Sequence, residues 1–106
     1  MSIKVQEEIK KIVNQIVEKY KPEKIILFGS VARGNFDRDS DLDFLIIKKD
    51  VPEKGRERAR ELRKLIKKKF PADFFIYRPD EFEDRLRLGD PFIKTVLKEG
   101  KILYSA

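Results

Sequence analysis

The chain has 106 residues, with 25 Lys and Arg against 19 Asp and Glu for a formal charge of +6, and 42% of its residues are charged, where about a quarter is usual. It contains no cysteine and no histidine. That excludes disulfides, thiolate zinc sites, cysteine nucleophiles, Ser-His-Asp catalysis and imidazole metal sites, so any chemistry must use carboxylates, hydroxyls, Lys, Arg or a hard metal ion.

The length fits one domain, residues 1–106, with one modest core and a shallow cleft rather than a deep cavity. Lys, Arg and Glu are in excess, Met is single, and the amides are few (Asn14, Asn35, Gln6, Gln15). Ion-pair networks gain value with temperature, so this composition resembles that of a thermophile protein. There is no long apolar run, and "MSIKVQEEIKK" reads as the start of an amphipathic helix and not a signal peptide; the sequence predicts a cytoplasmic protein. The positive charge favours phosphate-bearing or acidic partners.

Ile9, Ile12, Val13, Ile16, Val17 and Tyr20 recur at helical spacing, which predicts a helix from Ser2, as N-cap, to Tyr20, ended by Pro22. "KIILFG" (Lys24 to Gly29) reads as a buried strand. "SVAR" is a short helical turn closed by Gly34, and "NFDRDS" is polar loop. "LDFLIIK" (Leu42 to Lys48) is a second strand. A helix follows from about Glu53 to Phe70, with Leu62, Leu65, Ile66 and Phe70 on one side. "ADFFIY" (Ala72 to Tyr77) is a third strand, two short helices cover Pro79–Leu88 and Pro91–Glu99, and "KILYS" is a last strand. This order predicts an α/β fold (α+β, two-layer): a mixed sheet of three to four strands with flanking helices, the first two strands not parallel because their connection is short.

Three acids interrupt apolar strands. Asp41 and Asp43 are two residues apart, so they share a face about 6.6 Å apart along the chain, while Leu42 and Phe44 point into the core. Close carboxylates repel, and a divalent cation relieves the repulsion. Asp73 opens "ADFFIY"; with the third strand beside the second, it meets the other two on one face. Three carboxylates could then hold two metal ions roughly 3.5–4 Å apart, a clamp for displacement at phosphorus. Taken singly, each acid also fits a structural role: Asp41 in a loop, Asp43 paired with Arg33 or Arg38, Asp73 at a strand end. Gly29 permits a sharp turn, and Ser30 opens a helical turn whose N–H groups and hydroxyl suit a phosphate, though a Ser N-cap is common on its own account.

Gly29-Ser30, ten residues, then Asp41-Leu42-Asp43 resembles the signature of the DNA polymerase β-like nucleotidyltransferase superfamily. "FGSVARGNFDRDSDLDFLI" extends the likeness through Ala32-Arg33-Gly34 and Ser40-Asp41, and nearly the whole chain is similar to the minimal nucleotidyltransferase (MNT) domain. Val31 departs from the pattern, where many relatives carry Arg. The resemblance implies catalytic and metal-binding roles for Asp41, Asp43 and Asp73, with two Mg²⁺ ions, and nucleotide-binding roles for Gly29, Ser30 and Arg33, with ATP as substrate. Asp73 would help deprotonate the attacking hydroxyl. It further implies an antitoxin that transfers AMP from ATP to a tyrosine of a HEPN-family RNase toxin. A binding-only antitoxin, a transferase for a small hydroxyl compound, and a basic nucleic-acid-binding domain are the rival readings; the last leaves Asp41 and Asp43 unexplained.

Lys54 to Lys69 holds nine Lys and Arg against Glu57 and Glu61, which reads first as a solvated face with Glu57–Arg60 and Glu61–Lys64 pairs, and second as an acidic-partner or nucleic-acid surface. Phe74, Phe75, Tyr77, Phe82, Phe92 and Tyr104 are mostly core. Phe82 and Phe92 are candidates for a partner patch.

Overall fold

The computed structural model describes residues 3–35 and 41–106. Ser2, the predicted N-cap, lies outside this set, as do Arg38, Ser40 and most of the predicted polar loop. Helix α1 (Ile3–Tyr20) buries Val5, Ile9, Ile12, Ile16 and Tyr20 along one stripe. It stops where Lys21 turns left-handed at φ 54° and Pro22 cannot supply the next helical N–H. There follow β1 (Lys24–Phe28), the four-residue α2 (Gly29–Ala32), β2 (Leu42–Ile47), α3 (Gly55–Leu65), β3 (Ala72–Tyr77), α4 (Pro79–Arg87), α5 (Pro91–Glu99) and β4 (Lys101–Ser105).

The four strands form one mixed sheet in the order β3-β2-β1-β4. β1 runs antiparallel to β2 and to β4, and β2 runs parallel to β3. This is the predicted α+β arrangement. The short β1–β2 connection reverses the chain, and α3 supplies the crossover a parallel pair requires. Strand alternation sends Ile25, Leu27, Leu42, Phe44, Ile46, Phe74 and Ile76 to one face, packed against α1, Leu62 and Ile66. Ile26, Phe28, Leu45 and Ile47 go to the other, packed against Phe82, Ile93 and Val96 of α4 and α5. Phe44 is wholly buried at the centre of the first face, where truncation to Ala would cost about 3–5 kcal/mol.

Helix α3 is shorter than its periodicity predicts. Ile66 is already extended (φ −118°, ψ 151°). The N–H groups of Lys69 and Phe70 donate to the Glu8 carboxylate, and Gln15 brackets Lys67 by accepting from its N–H (2.7 Å) and donating to its C=O (2.8 Å). Tertiary hydrogen bonds from α1 thus replace the helical ones, and Pro71 disfavours helix at Phe70. Leu65 consequently faces solvent instead of the core.

Candidate active site

Position 43 is where the motif's two halves meet. In the antiparallel register Asp43 pairs with Phe28, the residue before Gly29, and in the parallel register it pairs with Asp73. Asp43 is half-buried, whereas Asp41, just ahead of β2, and Asp73 are exposed. Asp41 and Asp43 are two apart and Asp73 is in register, so all three belong to the α4/α5 face of the sheet. Gly29 adopts φ +80°, and a Cβ built on it would lie 2.3 Å from Asp43 Oδ2. Glycine is required here twice, for the left-handed backbone and for the carboxylate resting against it.

The carboxyl of Asp43 is pushed up to about 6, first by burial, then by the charges of Asp73 and Asp41, with Arg33 pulling the other way. Its environment therefore opposes ionisation and leaves the repulsion unrelieved. Among the described residues, no three His, Cys, Asp or Glu side chains converge closely enough to hold a metal ion. The trio shares a face as an open array of hard oxygen donors, the donor type that suits Mg²⁺. Like charges do not close on one another without a cation, so an open array is the arrangement repulsion dictates.

Ser30 is half-buried in α2, and its C=O accepts from Asn35 N–H (2.8 Å). Arg33 follows α2, with Nη1 3.0 Å from Glu99 Oε2 of α5. The structure thus groups Gly29, Asp41, Asp43 and Asp73 at one end of the sheet, with Ser30 adjoining, and ties Arg33 to Glu99, a partner that no local pattern signals.

Beside the acids, Phe28, Phe75 and Phe92 form a three-ring cluster, with centroids 5.4–5.5 Å apart. Phe82 is buried in this second core, which removes it from the suggested partner patch; Phe92 is partly buried against that core, and Phe75 is an exposed ring.

The basic segment also departs from expectation. Arg58 is buried, with two hydrogen bonds to Glu81 (2.8 and 3.1 Å), one to Ile76 O (3.0 Å), one to Glu53 O (3.1 Å) and one to Pro52 O. Its hydrogen bond to Glu81 holds that carboxyl below its ordinary range. The anticipated Glu57–Arg60 and Glu61–Lys64 pairs are absent from the ion pairs among the described residues.

The mixed four-stranded sheet, with its Gly-Ser turn against the Asp-x-Asp strand, is the arrangement that the resemblance to nucleotidyltransferases implies. Two solved structures share the fold. A nucleotidyltransferase structure from Sulfolobus solfataricus, described there as putative, superposes with a TM-score of 0.67 at 24% identity, covering 97% of this chain and 82% of that one. A toxin–antitoxin complex with AMP-PNP superposes with a TM-score of 0.60 at 24% identity, covering 92% of this chain and 73% of that one. The family model for the nucleotidyltransferase domain matches residues 8–104. Two relatives from Methanocaldococcus jannaschii are named as putative protein adenylyltransferases. MJ0604 is 32% identical over 93% of this chain and 97% of its own length, and MJ0141 is 42% identical over 61% of this chain and 60% of its own length. The chain belongs to the nucleotidyltransferase domain family. Among the described residues, no helix is long and apolar enough to cross a membrane.

Proposed function

We propose that this protein is a cytoplasmic, Mg²⁺-dependent adenylyltransferase that moves AMP from ATP to a tyrosine hydroxyl of a helical HEPN-family RNase toxin, and so acts as its antitoxin. One observation carries the reading: Asp43 stands in register with Asp73 while resting on Gly29. A grip for the triphosphate and a trio of carboxylates would then share one sheet edge. Relatives named as protein adenylyltransferases support the transferase part, and the AMP-PNP toxin–antitoxin neighbour supports the nucleotide and the partner class.

In this scheme Gly29 lets the Asp43 carboxylate rest against the turn, and the Ser30 hydroxyl beside it donates to a phosphate oxygen. Arg33 exchanges Glu99 for the triphosphate. Asp41, Asp43 and Asp73 are the residues that would hold two Mg²⁺ ions, which when bound neutralise charge on the leaving pyrophosphate. The tyrosine oxygen attacks the α-phosphorus, the new O–P bond forms as the bond to pyrophosphate breaks, and Asp73 receives the phenolic proton. ATP labelled on its α-phosphate tests this. Label should pass to the toxin partner only with Mg²⁺, and Asp43→Asn should stop transfer while the fold persists. A stable complex without label would leave a binding-only antitoxin instead.

A further inference from the structure

The third carboxylate opens onto more than the nucleotide. β3 is an edge strand, and a groove of about 840 Å³ runs along its free side between α3 and α4. Asp73 lines one end, and Arg58, locked to Glu81, lines the other. Pro71 O and Tyr77 O accept from Leu42 N and Lys48 N on the β2 side (2.9 and 3.0 Å), whereas Ile76 O accepts from Arg58 (3.0 Å). Odd-numbered residues therefore bond to β2 and even-numbered ones face outward. By that alternation Ala72 and Phe74 turn their N–H and C=O groups into the groove. Arg58 plugs the pattern at Ile76, so the open part of the edge is the part next to Asp73.

The walls carry a charge preference. Arg58 is spent on Glu81, Arg85 on Asp90, and Asp84 on Arg87. Arg56 and Arg63 line the groove with no ion-pair partner among the described residues. Of the remaining lining carboxylates, Glu53 is paired with Arg78 (3.9 Å), and Asp73 alone has no cationic partner among the described residues, which leaves two free cations against one acid. Leu88, 84% exposed, adds an apolar contact on the α4 side.

On the functional reading above, we propose that this groove receives an extended, acidic segment of the acceptor polypeptide as an added strand on β3, which brings its hydroxyl to Asp73. Strand addition takes affinity from main-chain hydrogen bonds and selectivity from flanking side chains, and the geometry offers both within reach of one carboxylate. A small hydroxyl compound would need neither. A second copy of this chain would bring its own charge of +6 against a basic wall.

The test uses fluorescent random copolymers of glutamate with tyrosine and of lysine with tyrosine. Anisotropy is measured on the wild type, on Arg56→Glu/Arg63→Glu, and on Lys10→Glu/Lys11→Glu as a charge-matched control on α1. The glutamate copolymer should bind, weaken about tenfold on the α3 variant, and change little on the α1 variant. Hydrogen exchange should slow at Ala72 and Phe74 when it binds. Equal weakening by both variants, or binding without protection of those amides, would overturn the groove. So would a preference for the lysine copolymer. Mg·ATP binding, followed separately, reports on the nucleotide site: its absence would remove the functional reading, whereas its presence with an unprotected β3 edge would remove this inference alone.

Discussion

Of the charged groups held out of full contact with water, Arg58 and Asp43 are treated in opposite ways. Arg58 is 3% exposed, and its guanidinium is surrounded by a carboxylate and three main-chain carbonyls. Asp43 is partly buried too, but its charged neighbours include two further carboxylates, and Arg33, the cation among the described residues that acts on it, is tied to Glu99. The first charge is compensated within the chain and joins α3, β3 and α4. The second is compensated by nothing that closes around it among the described residues, as expected where a ligand supplies the missing charge. Local satisfaction thus separates a structural ion from a candidate catalytic one.

The largest effect should follow from breaking the satisfied side. Arg58→Met takes the guanidinium from Glu81, which keeps the Arg78 N–H, and from the carbonyls of Pro52, Glu53 and Ile76, and should cost about 3 kcal/mol in denaturant unfolding. A loss below about 1 kcal/mol would contradict the contrast. Next is Gly29→Ala. The added methyl meets Asp43 Oδ2, and the backbone is left-handed (φ +80°), so a loss of about 2 kcal/mol is expected, with transfer activity falling as Asp43 is displaced.

Those two residues also show what was legible before the fold was known. Asp41, Asp43 and Asp73 stand out because a carboxylate in an apolar strand is expensive, and the alternation of a strand fixes their shared face. The Gly29–Asp43 contact depends on the β1–β2 register, which the loop length suggests only as antiparallel. Arg58 was invisible, because one arginine among nine basic residues carries no local mark of burial. Its partners come from β3, from α4 and from the turn ahead of α3. The early end of α3 was hidden for the same reason: Glu8 and Gln15 act across more than fifty residues.

On the unsatisfied side the sign reverses. Asp43→Asn should stabilise the protein at neutral pH, because it removes a charge that burial and two acids oppose. The folded carboxyl sits at about 6 against an ordinary 3.8. The stability held by its protonated form is complete below the ordinary value and is lost as pH rises through about 6. Thermal melts of wild type and variant should therefore converge near pH 4 and separate by pH 7, with the variant higher. Magnesium should narrow that gap.

The smallest effect concerns Arg33. Glu99→Gln releases it from an exposed pair worth less than about 1 kcal/mol. The Tm should barely move, and a nucleotide that recruits Arg33 should bind about two- to threefold more tightly, a gain within that same range. Equal or weaker binding would exclude Arg33 from the phosphate grip.

The central claim is that the carboxylates around Asp43 wait for an external cation and nucleotide. Calorimetric titration of ATP into the wild type and Asp43→Asn, with and without Mg²⁺, tests it most directly. The account predicts saturable binding that requires Mg²⁺ and disappears in a variant that remains folded. Equal binding by both proteins, or an Asp43→Asn variant that unfolds, would contradict it.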